Sequence, residues 1–126
     1  MSERKQPAAA PAAPAVVNPD LKAVHTALLD LVAKLDASIP HNATAAQVNA
    51  ITDEIAEVFA RVNSVQRQLL TQQTAAISRH AAAVAKAIPD VEAAIKQIED
   101  LRAFVGGVTK FLAIVDKAID VAKLVV

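Results

Sequence analysis

Cysteine, tryptophan and tyrosine are missing from this chain of 126 residues, glycine occurs twice, and three phenylalanines are the only aromatic side chains apart from histidine. Without cysteine there is no disulfide, no thiolate-bound metal and no cysteine nucleophile. Sheets and tight β-hairpins draw on aromatics and glycine, so their scarcity argues against both. An excess of either charge is also missing, because thirteen basic side chains are matched by thirteen acidic ones. Neither a long-range field nor a stripe of Lys and Arg is available to gather a phosphate backbone, and no nucleic-acid partner is expected.

What is present is alanine and aliphatic carbon: 54% of the residues are hydrophobic and 21% charged. Alanine is the best helix former. The length suits one domain, which needs most of the chain to build a core. The fold class expected is therefore all-α.

The opening "MSERKQPAAAPAAPAVV", residues 1–17, mixes Ala and Pro with no periodic apolar face, and is expected to be a flexible tail. Three prolines interrupt what would have to be the apolar core of a signal peptide. The expected location is the cytoplasm, or outside the cell without a cleaved signal.

Helical spacing begins at "NPDL". Asn18 can cap, Pro19 suits the first helical position, and Leu21, Val24, Leu28, Leu31, Leu35 and Ile39 follow in steps of three and four. Pro40 closes this helix, expected over residues 19–38. A capping box, Thr44 to Gln47, opens the second. There Val48, Ile51, Ile55, Val58, Val62, Val65 and Leu69 form a stripe, and Glu57 and Arg61 are placed for an i,i+4 ion pair. No glycine or proline interrupts before Pro89, so the second helix is expected over residues 44–87.

From Leu70 every seventh residue is aliphatic: Leu70, Ile77, Val84, Val91, Ile98, Val105, Leu112, Ile119 and Val126. Leu101, Val108 and Val115 fill the complementary heptad position, the pattern of a coiled-coil seam. Pro89 divides the run, because it lacks an N–H and disfavours helix before it. Compactness favours a reversal there and the unbroken heptad phase a kink; the reversal is preferred. A third helix over residues 89–125 follows. The architecture expected is an elongated helical bundle or coiled-coil hairpin, two long helices plus a shorter N-terminal one, within a single domain of residues 18–126.

Candidate chemistry is sparse. His25, His41 and His80 lack ligand spacing, so no metal is expected. Asp53, Glu54 and Glu57 crowd one turn, which reads as the acidic early part of a helix rather than a ligand set. No phosphate loop, nucleophile elbow or triad spacing occurs, so neither a cofactor, a small-molecule substrate nor an enzyme is expected. The polar segment Ser64–Thr74 either turns its glutamines to water, forms a short loop, or places buried amides that fix register.

The most apolar stretch lies near the end, where Phe104, Val105, Val108, Phe111, Leu112, Val115 and Ile119 crowd one helix around Gly106 and Gly107. It is too short and too charged at its edges to span a bilayer. The function expected is a non-enzymatic scaffold, adaptor or assembly subunit whose heptad face joins copies or binds a protein partner. The rival is a membrane-surface protein that lays this helix on lipid, with Pro89, Gly106 and Gly107 as hinges, although the Lys- and Arg-rich polar face typical of such helices is missing.

Overall fold

A computed structural model describes residues 16–125 of the chain. Four helices of similar length make up the fold: α1 (Pro19–Ala37), α2 (Ala45–Gln66), α3 (Ala75–Ile95) and α4 (Leu101–Lys123). This four-helix bundle corrects the expected pair of long helices with a shorter companion. Residues 1–15 of the expected tail, and Val126 of the heptad run, lie outside the described residues.

Two of the three expected N-termini are where the sequence placed them, and the third, at Pro89, is not a helix start. Asn18 accepts hydrogen bonds from the N–H groups of Asp20 (3.0 Å) and Leu21 (3.1 Å), and Thr44 and Gln47 form the reciprocal capping box. The other two helix starts come from residues passed over in the sequence. Thr74 accepts from the N–H of Ile77 to open α3, and Asp100 accepts from that of Ala103 to open α4. Such caps contribute about 1 kcal/mol each.

Pro89 neither reverses nor ends the chain; it sits inside α3. Its missing N–H leaves the Ala85 carbonyl without its usual helical donor. Both Pro89 and Ala85 are exposed, so water can satisfy that carbonyl. Meanwhile Val84, Ala87, Val91, Ala94 and Ile95 bury the inward face on either side, and this packing outweighs the local penalty. The actual breaks fall at residues 67–74 and 96–100, neither containing glycine or proline.

Two antiparallel hairpins, α1–α2 and α3–α4, are stacked in the same direction. α1 packs on α3 and α2 on α4. Start meets start where the Ser78 hydroxyl donates to Asp20 (2.9 Å), and end meets end at the Lys34–Glu92 ion pair, so α1 and α3 run parallel. The Arg61–Asp116 pair likewise joins α2 and α4 at corresponding heights. The α2–α3 connection must therefore cross the end of the bundle diagonally. Asn18 fixes it there: its N–H donates to the Leu69 carbonyl (2.7 Å), and its side-chain amide to the Thr71 carbonyl (3.0 Å) and Gln73 Oε1 (2.9 Å). Of the alternatives for Ser64–Thr74, the short loop is the one formed.

One core runs through all four helices. α1 and α2 contribute Leu, Val and Ile, whereas every buried alanine belongs to α3 or α4, where Phe104 and Phe111 are also buried. Gly107 faces Ala94 so closely that a Cβ added to it would lie 2.2 Å from the Ala94 Cβ. This is the position at which only glycine lets the two helices meet.

Candidate functional site

The expected interaction face is distributed across the fold. Ile77, Val84, Val91, Ile98, Phe104, Val108, Phe111, Leu112, Val115 and Ile119 are buried in the monomer's own core, and Leu101 is half-buried at the start of α4. Leu70 is 63% exposed in the diagonal connection and Val105 is exposed on α4. The sevenfold run is thus two unrelated stripes whose count survives a five-residue connection. Within α4 the true inward line follows the 3.6-residue turn and drifts off the strict heptad, which leaves Val105 outside. The face imagined for lipid is this same core, so meeting a membrane would require α4 to leave the bundle. Of the expected hinges, Pro89 and both glycines lie within continuous helix; Gly106 faces open space and Gly107 a neighbour.

Apolar surface remains elsewhere. On α1 and α2 the large exposed side chains are Leu29 (43%), Phe59 (44%) and Val48 (37%). Helical phase puts Val48, Ile55 and Phe59 on one line of α2, on the flank opposite Arg61, which faces α4; that flank is the one turned toward α1. Leu29 and Val32 take the corresponding flank of α1, opposite the Lys34 that reaches α3. Because the helices are antiparallel, helical phase places these residues on one outer face of the hairpin, where Val32 and Ile55 are half-buried against the core. On the other hairpin only Val105 is comparably exposed within a helix.

A second feature lies between α2 and α4. A cleft of about 560 Å³ is lined by Asp53, Glu54, Glu57 and Arg61 on one side and Thr109, Leu112 and Asp116 on the other. Arg61 donates from Nε and Nη2 to both Asp116 oxygens (3.0 and 3.1 Å) and from Nη1 to Glu57 (2.6 Å). The hydrogen bonds to Asp116 lead in holding its pKa above the ordinary value, against the opposing effect of burial. The sequence showed the Glu57 partner; Asp116 is added by the fold. Glu54 is buried, and burial, reinforced by the nearby Glu57 and Asp53 and opposed by Arg61, raises its pKa. Its position could have been read from the sequence: three residues after Ile51 and four before Val58, it falls on the core side of α2.

Among the described residues no three His, Asp or Glu side chains converge to hold a metal ion. A further groove of about 490 Å³ between α1 and α3 is lined largely by Ala23, Ala27, Leu31, Ile88 and Val91 and bordered by the Lys34–Glu92 pair. No helix among the described residues is long and apolar enough to cross a membrane. Comparison with protein-family models, characterised proteins and solved structures returns no match.

Proposed function

We propose that this chain is a non-enzymatic helical assembly module that pairs with a second copy of itself through the outer face of the α1–α2 hairpin. The observation that carries the reading is the line of Leu29, Val48 and Phe59 over Val32 and Ile55, on a protein whose other long apolar stripes are spent inside its own core. A two-fold dimer brings one patch against itself, so a single apolar face per chain suffices. The hairpin is about 30 Å long and two helices, about 20 Å, wide. That footprint approaches the roughly 800 Å² per partner of a standard interface. Phe59 is the natural anchor, since aromatic side chains dominate binding energy at such centres.

The test is molar mass by light scattering over a range of concentrations, on the wild type and on a Leu29→Ser/Phe59→Ser variant, with circular dichroism on both. The expected result is a concentration-dependent dimer for the wild type and a monomer of unchanged helicity for the variant. A wild type that stays monomeric throughout, or a variant that dimerises equally well, rejects the reading.

A further inference from the structure

The α2–α4 cleft is distinct from the face proposed for pairing, and its lining is unbalanced. Asp53, Glu54, Glu57 and Asp116 confront Arg61, the one cation among the described residues of the lining. Carboxylates gathered on a helix surface are commonplace. What sets this cleft apart is Glu54, which is only 8% exposed, lines the cleft, and receives no hydrogen bond from any described residue. Arg61 is already committed, because its nitrogens are bonded to Glu57 and Asp116. A buried carboxyl with no donor lacks the partner that such groups almost always have.

The lining restricts what that partner is. A bare metal ion is unsuited, since no three carboxylates or histidines converge. Arg61 already takes both Asp116 oxygens as a planar pair, and to bridge Glu54 and Asp53 a second guanidinium would need their two carboxylates to lie in its own plane. An ammonium is a compact point charge with three rotatable donors and makes no such demand. Beside Glu54 the walls turn apolar at Ala56, Leu112 and Ala113, which suits a methylene stem leading to a charged head. Thr109 adds a hydroxyl acceptor, and the volume falls in the range of small-ligand pockets.

We infer that the α2–α4 cleft binds a primary ammonium carried on an alkyl stem, with the Glu54 and Asp53 carboxylates receiving its N–H donors and Leu112 and Ala113 holding the stem. Two sources carry this group, the lysine side chain of a partner polypeptide and a free alkyl diamine. The experiment separates them. Diaminopentane, an acetylated and amidated lysine-containing hexapeptide, and the uncharged pentanediol are each titrated at millimolar concentration into the full chain and into Glu54→Gln. Amide chemical shifts are followed at low and at high salt, and circular dichroism establishes that the variant is folded.

Saturable binding of the diamine, the peptide or both is expected, with shifts centred on residues 53–57 and 109–116. Affinity should fall by about tenfold in Glu54→Gln and weaken with salt, and the diol should not bind. Binding of the diamine alone assigns the site to free amines, and binding of the peptide alone assigns it to a partner's lysine. The inference is overturned if neither amine saturates, if the folded Gln variant binds equally well, or if the diol matches the diamine. A Leu29→Ser/Phe59→Ser variant should bind the amine undiminished, so failure of the dimer and failure of this site are told apart.

Discussion

The α1–α2 and α3–α4 hairpins are alike in length and direction but dispose of their apolar side chains differently. In α3–α4, large and small residues alternate: Phe104 and Phe111 are buried in a hairpin that also buries Ala81, Ala87 and Ala94, and Gly107 lets the two helices meet. Its apolar carbon is turned inward, and its most exposed large residue within a helix is Val105. In α1–α2 the buried apolar side chains are all Leu, Val or Ile, with no buried small residue to draw the helices together, and Leu29, Val48 and Phe59 remain outside. Side-chain size, more than hydrophobic content, thus separates the hairpin that turns its apolar carbon inward from the one that leaves some of it outside.

The sharpest way to break this contrast is to truncate one phenylalanine in each hairpin. Phe104→Ala should cost about 3–5 kcal/mol, since it empties a fully buried site. Phe59→Ala should cost the monomer no more than about 0.5 kcal/mol, as exposed substitutions do, while weakening self-association. Urea denaturation of both variants at a concentration low enough to keep the chain monomeric reads the difference. Comparable losses would erase the distinction between a closed and an open hairpin.

A smaller effect separates the neighbouring glycines. Gly107→Ala would drive its Cβ into Ala94 and should destabilise by about 1–3 kcal/mol, the usual range for overpacking. Gly106→Ala meets nothing within 4 Å and should stabilise by roughly 0.5–1 kcal/mol, because alanine is the better helix former. Melting temperatures shifting in opposite directions are the expected outcome; two shifts of the same sign would mean that α3 and α4 do not meet at this point.

The smallest effect lies where the hairpins join. Glu54 has a higher pKa folded than its ordinary 4.5, so the folded state binds its proton more tightly. Wild-type stability relative to Glu54→Gln is therefore greatest below about pH 4.5 and is lost as pH rises through the folded value. At neutral pH the Gln variant should be the more stable by on the order of 1 kcal/mol, the scale of a desolvated polar group lacking a partner. Denaturation midpoints of both proteins between acid and neutral pH check the sign. A gap that does not change with pH would remove the buried carboxyl from the description.

Much of the local structure was legible in the sequence. Asn18, Pro19 and the Thr44–Gln47 box specify their helix starts through bonds made within three residues, and the apolar steps of α1 and α2 give the buried faces, except at Ile39 and Val48, which are exposed. The helix count was not legible, because the two missed breaks depend on distant partners or on quiet caps. Residues 67–74 hold no glycine or proline; they turn where Asn18 captures Leu69, Thr71 and Gln73. Pro89 misled in the other direction, since tertiary packing overrode a real local penalty. The six buried members of the heptad run, Ile77, Val84, Val91, Ile98, Leu112 and Ile119, were recognised as apolar, but their partners are the chain's own helices. The cleft was legible only as the pair Glu57–Arg61, since Asp116 approaches from a helix 55 residues away.

Asn18 has a consequence in time as well as in space. Each hairpin closes over a short connection and can form from local contacts, whereas the bonds from Asn18 to Thr71 and Gln73 span 53 and 55 residues. Loop closure of that length follows the fast local steps, so this latch sets when the second hairpin docks on the first. An interaction made after the transition state governs the rate of escape more than the rate of arrival. Loss of the Asn18 amide should therefore leave refolding nearly as fast as before and shorten the lifetime of the native state.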